Sequence, residues 1–218
     1  MNQQTDGMLL SSTGVAWDEE RLAGRYAFFR KLRDKVSLRL IYYPYWLMEP
    51  HGTATWRFFG TKPVAMLMVT DARSGRCLRI SAPPLLKEER LLPAEASEKT
   101  PFFPAVLENE SFSLKVQAHI APALYEEESA KRQAEDFALK AWNRKCNLPL
   151  GPRAALACTD IAATFLYKPF WLMTTEEKTQ DGRDKLFIFD ASTGIGGLSE
   201  YWNVAEYAMA LPGGVSAS

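Results

Sequence analysis

The feature that most constrains this chain is a seven-residue stretch that occurs twice. Tyr42, Tyr43, Pro44, Tyr45, Trp46, Leu47 and Met48 return as Tyr167, Lys168, Pro169, Phe170, Trp171, Leu172 and Met173. The step is constant across the motif, since 169 minus 44 and 173 minus 48 both give 125. A second mark follows each copy: Val69, Thr70, Asp71, Ala72, Arg73, Ser74, Gly75 reappears as Ile188, Phe189, Asp190, Ala191, Ser192, Thr193, Gly194. Here the step is 190 minus 71, or 119, so the first copy carries six more residues between its marks. Self-similarity at this distance governs the fold before any single motif does. The chain therefore reads as an internal duplication.

Each copy has the same predicted order. Asp18 stands where a helix N-cap belongs, and Leu22, Tyr26, Phe29, Leu32 and Val36 recur at spacings of three and four, which predicts an amphipathic helix over 18–36. The period then changes to two, with Leu38, Leu40 and Tyr42 alternating with Ser37, Arg39 and Ile41, as in a strand. Pro44 and Pro169 remove a ladder donor, which predicts a sheet edge or a bulge at both places. Strands follow over 53–59 and 64–71, and the turn at Asp71 to Gly75 leads into another at 77–81. Five prolines between 83 and 104 suggest a linker over 85–110, within which Leu85 to Leu92 has the composition of a short helix. Clean alternation over 112–120 predicts a half-buried strand. A second helix is expected over 126–145, on the stripe Ala130, Ala134, Phe137, Ala138, Ala141 and Trp142. The expected domains are a first repeat at 8–84, the linker at 85–110 and a second repeat at 111–210.

A helix followed by about three antiparallel strands, twice over, is an α+β chain of two tandem αβββ repeats. That order, with the turns at Asp71 to Gly75 and Asp190 to Gly194, resembles PepSY and cystatin-like modules, in which a similar Asp-Ala-x-Thr-Gly turn closes a hairpin. The aromatic-Pro-aromatic-Trp strand is similar to that of short bacterial domains found beside zinc ribbons or membrane spans. The resemblance implies a non-catalytic fold used to bind or inhibit partners, and it brings no catalytic residues with it.

Composition narrows the function classes. The 26 basic and 26 acidic residues of the 218 cancel, so no global field draws the protein to nucleic acid. The local exception is 21–39, where seven cations face only Asp34, and a solvated helix face accounts for them without a nucleic-acid motif. No stretch approaches the ~20 apolar residues of a membrane-spanning helix. Three widely spaced cysteines fit free thiols, and with the polar N-terminus they point to a soluble, cytoplasmic protein.

Chemistry-bearing residues are few. His51 and His119 have no ligand at metal spacing, and the glutamates at 126–128 and 176–177 sit at a helix start and in a polar loop. The run Thr193 to Gly197 lacks the lysine and hydroxyl of a phosphate loop. The expectation is accordingly no catalytic residue, no metal and no cofactor. What stands out is the aromatic content of the repeated strands. Tyr43, Tyr45, Trp46, Trp56, Lys168, Phe170 and Trp171 are the candidate binding residues. Two readings of the rings stay open: they fill the core, or one parity of them lines a groove for a peptide, a protein or a second copy of the chain. The alternative function is a small apolar ligand held in a cavity between sheet and helix.

Overall fold

The computed structural model describes residues 8–26, 36–93, 101–108, 113–147, 151–178, 184–197 and 201–211. Among them strand far outweighs helix. Ten strands, β1 (Met8–Ser12), β2 (Val36–Trp56), β3 (Gly60–Ala65), β4 (Met68–Asp71), β5 (Cys77–Arg79), β6 (Lys87–Pro93), β7 (Phe103–Glu108), β8 (Ser113–Ile120), β9 (Ala154–Lys178) and β10 (Asp184–Asp190), form one sheet. The helices among the described residues are α1 (Glu19–Arg25), α2 (Glu127–Cys146) and α3 (Trp202–Ala210). The order β9-β1-β6-β7-β8-β2 closes on itself through a β2–β9 ladder, giving a six-stranded barrel.

This corrects the expected α+β arrangement of two cystatin-like or PepSY-like αβββ repeats. Local periodicity found many of the strands but not their neighbours. The decisive ladders are long-range: β8 pairs β2 in parallel through Leu40–Ala118 and Tyr42–Ile120, and β1 meets β9 in parallel at Ser12–Tyr167. Residues 85–110 carry β6 and β7, so Leu85 to Leu92 is not the expected short helix. The C-terminal segment around Tyr201 and Trp202 is helical. Most of the predicted first helix, including Phe29, Leu32 and the cations at 30–35, lies outside the described residues.

The two prolines sit in like settings. In β2, residues 40–42 pair β8 and residues 45–48 pair β4, so Pro44 stands where the strand changes neighbour. In β9, Tyr167 meets β1 and residues from Phe170 onward pair β10, with Pro169 at the same handover. A residue lacking an N–H costs least at such a gap between ladders. Its carbonyl is still used: Ala72 N–H donates to Pro44 O at 3.1 Å and Ala191 N–H to Pro169 O at 3.0 Å.

The chain divides into two compact units, each drawing on segments from before and after residue 110. The first comprises Met1–Tyr43, Leu85–Ala121 and Tyr167–Ser218; the second comprises Pro44–Pro84 and Pro122–Leu166. The first unit's core joins Leu22, Leu40, Leu91, Leu107, Trp171 and Phe189. Within it lies a buried carboxylate. Glu89 accepts from Ser12 Oγ (2.6 Å), Val15 N–H (2.7 Å) and Tyr42 Oη (3.0 Å), so both its oxygens are satisfied. Burial first, and Glu89 next to it, push the Tyr42 phenol far above its ordinary value. The second unit's core sets Met48 and Met68 against Ala130 and Ala134 of α2. Alanine or tryptophan at every fourth position, Ala130, Ala134, Ala138 and Trp142, forms the buried stripe of that helix. Gly52 makes the close approach: a Cβ there would fall 2.8 Å from the Trp142 ring and 2.2 Å from Ala157 O.

Candidate functional site

The repeated marks build the same local cradle once in each unit. In the second unit, Asp71 Oδ1 accepts from the amides of Arg73 (2.7 Å) and Ser74 (3.1 Å), and Gly75 N–H closes the turn onto Asp71 O. Gly75 has φ +71°, which suits glycine. The amides of Leu124 and Tyr125 both donate to Ala72 O at 2.8 Å. Tyr125's ring covers Gly75, and its carbonyl takes the indole N–H of Trp46 at 2.9 Å. Trp46 also meets Phe165 edge-on, with centroids 4.9 Å apart.

In the first unit the same bonds recur with other residues. Asp190 Oδ1 accepts from Ser192 N–H (2.9 Å), Thr193 N–H (3.3 Å) and Ser192 Oγ (2.6 Å), and Gly194 has φ +67°. The amides of Ala16 and Trp17 both donate to Ala191 O at 2.9 Å, Trp17 covers Gly194, and Trp17 O accepts the Trp171 indole N–H at 2.6 Å. Trp17 thus plays the part of Tyr125. The covering aromatic comes from the opposite half of the sequence in both cradles, so each cradle joins repeated segments from both halves.

The candidate binding residues divide by environment. Tyr43, Phe170 and Trp171 are buried, at 2%, 0% and 4% exposure, and serve the first unit's packing. Tyr43 meets Tyr207 edge-on and Phe170 packs on Tyr201, both from the α3 side. Tyr45 and Trp46 are half-buried, as is Trp56 at the end of the β2–β3 hairpin. Lys168 ion-pairs with Asp190 at 2.8 Å and lies over the Phe170 and Tyr201 rings. Burial alone pushes the Asp190 carboxyl up, but the Lys168 ammonium and the bonds from Ser192 outweigh it and hold the group below its ordinary value. His119, which has no ligand at metal spacing, is held at both nitrogens, Nδ1 by Pro101 O and Nε2 by Tyr207 Oη, each at 2.6 Å.

Each unit also has a cleft. In the first unit a space of about 530 Å³ is walled by Leu38, Val106, Leu114 and Trp171, with Glu19, Lys115 and Gln117 among its polar lining. In the second a smaller space of about 360 Å³ lies beside Pro63, Trp142, Arg79, Arg144 and Lys145. Of these lining residues only Trp171 belongs to the candidate set. Sequence alternation over 112–120 marks Leu114 and Val116 as the inward face of β8, but nothing local says that β7 and Trp171 stand beside them. Among the described residues no group of three His, Cys, Asp or Glu side chains could hold a metal ion, and no helix is long and apolar enough to cross a membrane. Comparison with protein-family models, curated proteins and solved structures finds no match.

Proposed function

We propose that the protein binds a ligand without transforming it, and that the ligand is a small apolar molecule seated in the cleft of the first unit. The observation that carries this reading is the chemistry of the wall: Leu38, Val106 and Leu114 are aliphatic, and the Trp171 indole has already given its N–H to Trp17 O. What Trp171 offers is therefore ring surface rather than a hydrogen bond. A space of about 530 Å³ lies within the range of pockets that enclose small molecules. The free cysteines among the described residues support a reducing, cytoplasmic setting.

The test uses 1-anilinonaphthalene-8-sulfonate, a dye that brightens in apolar clefts. Its emission should rise on the native protein and fall back with Leu114→Trp, which fills the space, while the far-UV spectrum is unchanged. Native-level emission from the filled variant contradicts the reading. A protein or peptide partner is the second reading, favoured by one place: Phe58 and Phe59, 80% and 67% exposed, stand at the tip of the β2–β3 hairpin beside Trp56. A second copy of the chain would dock there too, and replacing both phenylalanines with serine should then abolish concentration-dependent association in light scattering.

A further inference from the structure

We propose that the second unit holds a separate site for a small oxyanion of the phosphate class, in the cleft beside the end of α2. Three cations line this space: Arg79 from β5, and Arg144 and Lys145 from the last turn of α2. Among the described residues no acidic one shares the lining. Basic residues at a helix C-terminus complement the helix dipole, and that alone would explain Arg144 and Lys145. It does not explain Arg79, which comes from a strand.

Nor does it explain Trp142. This residue is 2% exposed, lines the same cleft, and its Nε1–H is buried with no acceptor. A buried N–H left unpaired is costly, and native folds rarely tolerate one without a reason. The Cζ3–Cη2 edge of the ring packs over Gly52, where a Cβ would fall 2.8 Å and 3.1 Å from those two atoms. That edge lies across the indole from Nε1, so the donor points away from Gly52. The other indoles of the repeated strands show the contrast, since Trp46 and Trp171 each have a carbonyl acceptor.

A ligand that accepts several hydrogen bonds and carries more than one negative charge satisfies all four groups together. Guanidinium groups match the oxygens of a phosphate in pairs, lysine adds a point charge, and the indole supplies one fixed donor. A single carboxylate would leave cations unused. The volume of about 360 Å³ is larger than a bare ion requires, so a phosphorylated small molecule fits the class.

The experiment follows the Trp142 indole N–H signal by 1H–15N NMR, assigned by its loss in Trp142→Phe, during titration with inorganic pyrophosphate at constant ionic strength. The expected result is a saturable downfield shift of that signal. The Arg79→Gln/Arg144→Gln variant should bind at least about tenfold more weakly, since bonds between charged groups are lost. Both arginines are exposed, so the variant keeps its fold, which the rest of the spectrum reports. An indole signal that stays still at millimolar pyrophosphate overturns the proposal, as does equal affinity in the double arginine variant. This site and the apolar cleft have no residue in common, so failure here leaves the dye experiment to be judged by itself.

Discussion

The two cradles share a backbone and differ in what surrounds it. Both place an Asp cap, a glycine at positive φ, a doubly used alanine carbonyl and an indole bonded to a main-chain oxygen at matching positions. The first unit's Trp171 is buried, and its Asp190 is locked by Lys168; the second unit's Trp46 is half-buried. Tyr43 holds the position that Lys168 has in the other copy, since 168 minus 43 is 125. The lesson is that main-chain bonds fix the shape of the repeat, while side-chain surroundings are free to diverge. One copy became a wall of an apolar cleft, and the other sits in a unit whose cleft is basic.

The tryptophans offer the largest test of that contrast. Trp171→Ala removes a buried ring and its bond to Trp17 O, at a cost of about 3–5 kcal/mol. Trp46→Ala should cost less by at least about 1 kcal/mol, because that ring is only partly buried. Urea unfolding of both variants measures the difference. Equal losses would mean that the cradles are matched in energy as well as in shape.

The glycines come next. Alanine at Gly194 or Gly75 combines a strained positive φ with an aromatic clash, and each change should cost about 1–3 kcal/mol. Gly194→Ala should be the worse of the two, since its Cβ would fall 2.3 Å from Trp17 against 2.8 Å from Tyr125. A reversed order in thermal melts would show that the covering rings give way differently from their spacing.

The Asp190 cap gives the smallest and most specific effect. Asp190→Ala strips the turn of its cap and leaves Lys168 without its ion-pair partner, so it should destabilise by about 2 kcal/mol. The pH dependence has a defined sign. Because the Asp190 carboxyl is held below its ordinary value when folded, its contribution is complete above about pH 4 and is lost as pH falls through the folded value. Stability of Asp190→Asn should therefore fall less steeply than that of the parent protein on acidification below pH ~4. Parallel curves would remove the ion pair from the account.

Much of this was legible locally. The repeated marks, the turn chemistry at Asp71 and Asp190, the second helix and the alternation of β8 are all patterns within a few residues of one another. Pairing was not legible, because β1–β9 and β8–β2 join residues more than seventy apart and leave no periodic trace. One signal was there to be used. Trp17, Asp18, Glu19, Glu20 and Tyr125, Glu126, Glu127, Glu128 are both an aromatic followed by three acids, 108 residues apart (125 minus 17). The same step links Ser12 to Ile120, the residues that meet β9 and β2 in parallel. A third repeat mark thus preceded each helix, and with its spacing of 108 beside 125 and 119 it showed three aligned segments per copy. Glu89 could not be anticipated, since a carboxylate in a charged stretch reads as surface until its three donors are in place.

Reciprocal exchange of the duplicated segments is tested most directly by cutting the chain after Glu110 and measuring unfolding of the two fragments, alone and mixed. Both compact units need chain from each side of that cut, so neither fragment should show a cooperative transition by itself, and an equimolar mixture should recover one together with the parent's near-UV spectrum. Two fragments that each melt cooperatively alone, with no change on mixing, would contradict the exchange.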